Sequence, residues 1–180
     1  TGTFTSPHLI SITERIRING VDISEDDFAR HATTVSETVE SLLGKGELEY
    51  RPTFFEQITA IALVAFAGAE VEVAILETGL GGRLDATTAA NAEIAAITRI
   101  DIDHQEYLGE TIEEIAAEKG AIIHSGSIAI IGEQQREVMT VLLDHCREVG
   151  VLPFTECKAS IWAIDSTNKT VVASFRTKRE

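Results

Sequence analysis

The spacing of apolar residues changes several times along the chain, and each change predicts an element. Behind Ser24, the residues Phe28, Ala32, Val35, Val39 and Leu42 recur at helical spacing until Gly44, which predicts an amphipathic helix with a serine cap. A polar break over residues 44–52 follows. Thr53 with Glu56 three residues on has the form of a capping box, and it opens an apolar helix from about Phe54 to Ala67. VEVAIL (71–76) and AEIAAITRI (92–100) are near-continuous apolar runs, as expected of strands buried in a parallel sheet. Thr111 and Glu114 repeat the cap spacing ahead of a helix through Ile115 to about Ile122. SIAIIG (127–132) predicts a third strand. Residues 136–149 predict a fourth helix, with Val138, Val141, Leu142 and Cys146 on one face. LPFTE reads as a short strand, and the tail from Ala159 (SIWAIDSTNKTVVASF) as a β-hairpin around the turn-prone residues 165–169. At the front, ERIRINGVDIS reads as an extended or irregular excursion around Asn19 and Gly20, suited better to a long functional loop than to a core element.

Alternating strands and helices predict an α/β fold: a mainly parallel sheet with helices on both faces, ending in the hairpin. At 180 residues one domain is the default, and 44% hydrophobic with 24% charged residues is ordinary for a globular protein. A net charge of -14 argues against nucleic acid or an anionic membrane as partner, since a phosphate binder needs a basic surface. Cys146 and Cys157 lack metal-type spacing and read as reduced thiols in a cytoplasmic protein. No apolar run is long enough for a membrane span, and no signal-peptide pattern opens the chain. Thr1 is not Met and TGTFTSPHL starts in mid-pattern, as expected of a piece of a longer protein.

Ligands of open α/β sheets sit beyond the carboxyl ends of the strands. Glu77 directly follows VEVAIL, and Asp101, Asp103 and His104 follow AEIAAITRI. Were these strands parallel neighbours, all four groups would emerge at one edge. Ser6, in Ser6-Pro7-His8, follows what could be the end of another strand. A hydroxyl, a carboxylate and a neutral imidazole can hold a divalent ion with waters and phosphate oxygens; Mg²⁺ favours oxygen, and a histidine leaves room for Mn²⁺. Taken singly, each has a plainer reading. Glu77 is a solvated carboxylate at a strand exit, His104 a hydrogen-bonded structural histidine, and Ser6 the cap of a turn. Gly79, Gly81 and Gly82 let a backbone approach a ligand closely, or simply serve a tight turn. Thr53 and Glu56 are accounted for by the helix cap, and Lys119 by solvation near a helix end. His31 and His145 fall within helical patterns, as surface or boundary residues. There is no GxxxxGK[ST] loop, no dinucleotide fingerprint and no GxSxG turn.

FTSPHL with ERIRING, then PTFFE, LETGLGGRLDATT and DIDHQEYLGETIEEIAAEKGAI, in that order and at these intervals, closely resemble one family: folylpolyglutamate synthase and the bifunctional dihydrofolate synthase, within the Mur ligase superfamily. The resemblance spans residues 1 to about 150. It implies the P-loop NTPase-like central domain of an ATP-dependent amide ligase. A carboxylate of folate or dihydropteroate is phosphorylated by ATP, and L-glutamate attacks the acyl phosphate. By position, Ser6, Glu77 and His104 match the family's Mg²⁺ ligands, and Lys119 matches a lysine carbamylated in such enzymes. Thr53, Phe54, Phe55 and Glu56, with Leu84, Asp85 and Ala86, match segments lining the pterin site, where an aromatic ring can stack on a flat ligand. ERIRING would be a mobile loop near the folate.

The chain departs from the family pattern in three places: EKGAI where EKAGI is usual, DATT where DATN is usual, and His124-Ser125-Gly126 where KPG is common. The family's P-loop lies just upstream of TSPHL and its C-terminal domain downstream of about residue 180. The expectation is therefore a partial ATPase domain over 1–180, inactive alone and prone to self-association, from a parent expected to be monomeric. Two alternatives stand beside it: a cell-wall Mur ligase, disfavoured by TSPHL and GLGGRLDAT, and a non-catalytic binding module on a degenerate ATPase fold.

Overall fold

The computed structural model describes residues 1–165 and 170–179, with side chains described as far as Thr155. The chain divides into two units, Thr1–Leu80 with Leu84–Ala90, and Gly81–Arg83 with Asn91–Glu180.

In the first unit a four-stranded sheet has the order β3-β2-β1-β4, formed by β1 (Gly2–Phe4), β2 (Ile16–Ile18), β3 (Val21–Asp22) and β4 (Ala74–Leu76). β1 runs antiparallel to β2 and parallel to β4, with Phe4 opposite Ile16 on one side and Leu76 on the other. Between β3 and β4 the chain passes through α1 (Glu25–Lys45) and α2 (Phe54–Gly68). Both helices start where the sequence places them: the Ser24 oxygen accepts from the Asp27 N–H, and Thr53 and Glu56 complete a reciprocal capping box. α1 runs past Gly44 and stops at Gly46, whose φ of 73° is the left-handed geometry of a helix C-cap. Phe4, Ile16, Ile58, Ala62 and Ala65 form the centre of the core, with Val35 and Val39 of α1 closing it.

ERIRING is a hairpin rather than an irregular loop. Asn19 and Gly20 both have positive φ, 51° and 81°. That is the backbone of a two-residue type I′ turn, whose twist suits the paired strands. Ile16 is fully buried, so this segment belongs to the core.

In the second unit the sheet order is β5-β6-β7-β8, for β5 (Ile94–Ile97), β6 (Ile128–Ile131), β7 (Phe154–Asp165) and β8 (Thr170–Arg179). The first three are parallel and β8 is antiparallel to β7. LPFTE and the run after Ala159 are thus parts of one strand. Residues 166–169, which hold most of the expected turn, and the Cys157 side chain lie outside the described residues. α3 (Gln105–Leu108), α4 (Ile112–Gly120) and α5 (Arg136–Glu148) complete the unit. Ile115, Ala129, Ile131, Val138 and Leu142 are fully buried in its core, and Cys146 is a buried free thiol whose pKa burial raises.

The α/β class with parallel strands and helices holds. Antiparallel pairing takes a larger share than the sequence suggested; β4 pairs with β1 in one sheet and β5 with β6 in the other. Their runs are not buried on both faces. Val73 and Ile75 are 53% and 57% exposed, and Ile94 is 55% exposed while Ala95 and Ile97 are buried. Each is an edge strand.

Candidate functional site

Parallel pairing of β1 and β4 carries both strands to one carboxyl end, and there the chain leaves the sheet twice. The Glu77 N–H still donates to the Phe4 carbonyl at 2.9 Å, and the Ser6 N–H donates to Glu77 Oε2 at 2.8 Å across 71 residues of sequence. So Ser6 and Glu77, predicted together from strand exits, are together. The Glu77 side chain is exposed, and its other oxygen takes no hydrogen bond among the described residues.

The loop behind Glu77 is organised by Asp85. Its carboxylate is 6% exposed and accepts from the Gly79 and Leu80 N–H groups at 2.9 and 3.0 Å, and from the Thr87 N–H and hydroxyl at 2.9 and 2.6 Å. Thr88, at the departure from the family's DATN, donates its hydroxyl to the Asp85 carbonyl at 2.7 Å. Leu84 is 85% exposed and Ala86 half-buried at the start of a 3₁₀ turn, Ala86–Ala90. The close approach that glycine permits here is to the protein itself. A Cβ on Gly79 would lie 2.3 Å from the Phe55 ring. Phe55 in turn packs at 5.9 Å from the Phe4 ring, whereas Phe54 is 57% exposed and sits under the Arg15 guanidinium. Thr53 donates both its N–H and its hydroxyl to Glu56 Oε2, at 2.6 and 2.8 Å, and the backbone bond from Thr53 holds the Glu56 carboxyl below its ordinary pKa.

Two residues of this unit escaped the sequence reading. Glu14 accepts from the N–H groups of Leu9, Ile10 and Ser11 at 2.9, 2.9 and 2.7 Å, and these bonds, that from Leu9 first, depress its pKa. It thereby fixes a loop whose Leu9 and Ile10 are 91% and 94% exposed. The available signal was Ser11 with Glu14, another capping-box spacing, which caps the 3₁₀ turn Ile12–Arg15. The second residue is Arg15, which is buried.

In the second unit His104 follows β5 in left-handed backbone geometry, φ 52° and ψ 38°, and leads into α3. Its ring is exposed, with Nε2 3.4 Å from Asp103 Oδ2. Lys119 lies half-buried in the last turn of α4, and among the described residues its ammonium has no ion-pair partner. Its neighbour Glu118 takes the Arg83 guanidinium, Nη2 at 2.8 Å and Nε at 3.0 Å, which raises the Arg83 pKa. A Cβ on Gly82 would lie 2.6 Å from the Glu118 carbonyl oxygen, so only glycine lets the segment Gly81–Arg83 rest on α4.

Among the described residues no group of three or more His, Cys, Asp or Glu could hold a metal ion. What the first unit offers is one exposed carboxylate beside one hydroxyl-bearing residue. That donor set fits a hard cation that keeps several waters and takes its remaining ligands from phosphate, the habit of Mg²⁺. Among the described residues no helix is long and apolar enough to cross a membrane.

The α/β fold, with a serine and a glutamate at adjacent parallel strand ends, is that of a Mur ligase middle domain, as the match of the family's profile to this chain shows. The chain belongs to that family, whose profile matches residues 24–178. Within it, the chain is 40% identical over 151 residues to the dihydrofolate synthase/folylpolyglutamate synthase of Escherichia coli (strain K12), covering 84% of this chain and 33% of that protein. It is 41% identical over 155 residues to the protein of the same name from Bacillus subtilis (strain 168), covering 85% and 35%. Among solved structures, Mycobacterium tuberculosis folylpolyglutamate synthase complexed with ADP and AMPPCP superposes with a TM-score of 0.81 at 36% identity, over 97% of this chain and 40% of that one. Escherichia coli FolC in complex with DHPP and ADP gives 0.80 at 33% identity, over 98% and 39%. The resemblance read from the motifs is borne out, and the chain spans about a third of the length of these curated relatives.

Proposed function

We propose that this chain is the central ATPase part of an ATP-dependent ligase that joins L-glutamate to a carboxylate of folate or dihydropteroate. The observation that carries the reading is the Ser6–Glu77 contact at the shared carboxyl end of β1 and β4, 2.8 Å from amide to carboxylate. The relatives' names and the nucleotide in the matched structures point the same way.

In the reaction a carboxylate oxygen attacks the γ-phosphorus of ATP, and the β–γ bridging bond breaks to release ADP. The neutral amino group of glutamate then attacks the acyl carbon of the acyl phosphate. Phosphate leaves with the C–O electron pair, and the amine proton passes to solvent. Mg²⁺, or Mn²⁺ in its place, supplies charge neutralisation of the phosphates when bound. Glu77 would be the anionic ligand of the first unit, and the Ser6 hydroxyl would be the neutral one beside it. The Ser6 N–H fixes one Glu77 oxygen and leaves the other free to coordinate. Asp85 holds the loop bearing Leu84 and Ala86, so that the segment assigned to the pterin keeps one shape; Thr53, Phe54, Phe55 and Glu56 are the second wall of that assignment. His104 as a further ligand and Lys119 as a carbamylated anion enter by family position alone. The P-loop and the C-terminal ligase domain are assigned to parts of the protein outside these 180 residues, the reaction to the cytoplasm, and the parent is taken as a monomer.

The test is Glu77→Gln in the full-length protein, assayed with ATP, Mg²⁺, glutamate and either dihydropteroate or a reduced folate. Turnover is expected to fall by about a hundredfold or more, with the circular dichroism unchanged. Near-normal turnover would remove Glu77 from the site. A reading frame with no GTNGKGS-like loop upstream of Thr1 would favour a non-catalytic module, and turnover confined to a UDP-linked peptide precursor would favour a cell-wall ligase.

A further inference from the structure

Past the paired ends of β5 and β6, the Gly132 N–H still donates to the Ile97 carbonyl at 2.8 Å. Beyond that rung the two chains part. β6 leads through residues 133–135 into α5, and β5 leads through Thr98, Arg99 and Ile100 into the turn over residues 101–104. The half-buried side chain of Gln134 spans the gap. Its Nε2 donates to the Thr98 carbonyl at 2.7 Å, and its Oε1 accepts from the Ile100 N–H at 2.9 Å. A residue bridging two parallel strands makes the same pair of bonds, donating to the residue before its partner and accepting from the one after. The Gln134 amide thus stands in for a peptide group and adds a rung to the ladder, centred on Arg99. It is carried at the head of α5, whose Val138 and Leu142 are fully buried.

The turn beyond that rung has few other supports. The Ile100 side chain is buried, which fixes where the residue lies but not how its peptide planes are rotated. Within the turn the bonds are local: Asp101 Oδ1 accepts from the Ile102 N–H at 3.0 Å, and Asp103 Oδ1 from the His104 N–H at 2.8 Å. At the far end the His104 carbonyl accepts from the Tyr107 and Leu108 N–H groups at 2.9 and 3.0 Å. Between these ends His104 keeps φ 52° and ψ 38°, a conformation that a residue with a side chain holds where its surroundings impose it.

We propose that Gln134 is a positioning residue for His104. By fixing the peptide groups on both sides of Arg99, it sets the direction in which β5 enters the turn and so where the imidazole is presented. Glutamine suits this task because one planar amide carries a donor and an acceptor; an ionised glutamate has no donor and a methionine has neither. The hold on the turn stands on the hydrogen bonds alone, whereas its consequence for metal rests on the reading of His104 as a ligand. Removing an outer partner of a metal ligand weakens metal affinity by about ten- to a hundredfold.

Gln134→Met keeps the side-chain length and removes both bonds. In the 180-residue chain, Ile100 amide protection relative to its intrinsic exchange rate is expected to fall about tenfold, and the His104 ring signal to move in NMR spectra. Gly132, one rung back, should keep its protection, and Gln134→Glu, which retains the acceptor, should fall between. In the full-length protein with ADP, Mn²⁺ affinity read by electron paramagnetic resonance should drop about tenfold in Gln134→Met. The double variant with His104→Ala should bind Mn²⁺ no more weakly than His104→Ala alone, because the first residue acts through the second. Unchanged Ile100 protection, an unmoved His104 signal or additive losses in the double variant would each overturn the proposal. Wild-type Mn²⁺ affinity in His104→Ala would overturn the ligand reading of His104 and the metal consequence with it, while the exchange data decide the hold on the turn.

Discussion

Three backbone amides converge on the Glu14 carboxylate, and they are good donors only to its ionised form. The folded-state pKa is lowered, so this contribution is fully present above the ordinary carboxylate range and is lost as pH falls through the depressed value. Protection of the Leu9, Ile10 and Ser11 amides, taken relative to their intrinsic exchange rates, should therefore fall selectively at acid pH, and in Glu14→Gln it should already be low at neutral pH. Equal protection in wild type and variant would show that the loop holds itself. Asp85 makes the complementary point about legibility. A sequence shows an acidic residue in a glycine-rich loop; it does not show which way the carboxylate turns. Here the carboxylate turns inward, onto Gly79, Leu80 and Thr87, and Leu84 is left facing solvent. Glu77 was easier to read because its place depends only on where an apolar run stops. Arg15 was hidden, since nothing in TER marks the arginine as the buried member.

At the scale of elements, helices were readable because cap and period agree locally. Thr53, Thr111 and Ser24 all cap the helices predicted behind them. Thr53→Ala removes an oxygen that serves the Glu56 N–H and should cost about 1 kcal/mol, seen as a lower denaturant midpoint at unchanged slope. Strands were harder. A period of two fixes the faces of a strand without naming its partner, so the pairing of β4 with β1 is not legible in VEVAIL. The β2–β3 hairpin is hard to read for another reason: Asn19-Gly20 marks a turn, but the flanking runs are only three and two residues long, too short to show a strand period. LPFTE was cut short because one long strand with a bulge reads as two short ones.

For the whole molecule, two opposed forces set behaviour in solution. Exposed Val73 just before β4 and Ile75 on it, and Ile94 and Ile128 on β5 and β6, favour association of copies, while a net charge of -14 opposes it. Added salt screens the repulsion and leaves the apolar faces untouched, so sedimentation velocity should show larger species at 0.5 M salt than at 0.05 M, against Debye lengths falling from roughly 14 to 4 Å. Ile94→Lys should reduce that association without altering the helical signal; a salt-independent monomer would refute the account. The Asn19-Gly20 turn has a different reach, in time. With no side chain on Gly20, its amide nitrogen is unshielded and can attack the Asn19 side-chain carbonyl, expelling ammonia. Hydrolysis of the resulting ring leaves aspartate or its iso-form. The turn geometry slows this while the hairpin is folded. Loss of that amide on storage, read as an acidic shift on isoelectric focusing and accelerated by partial unfolding, would make this one turn the molecule's clock.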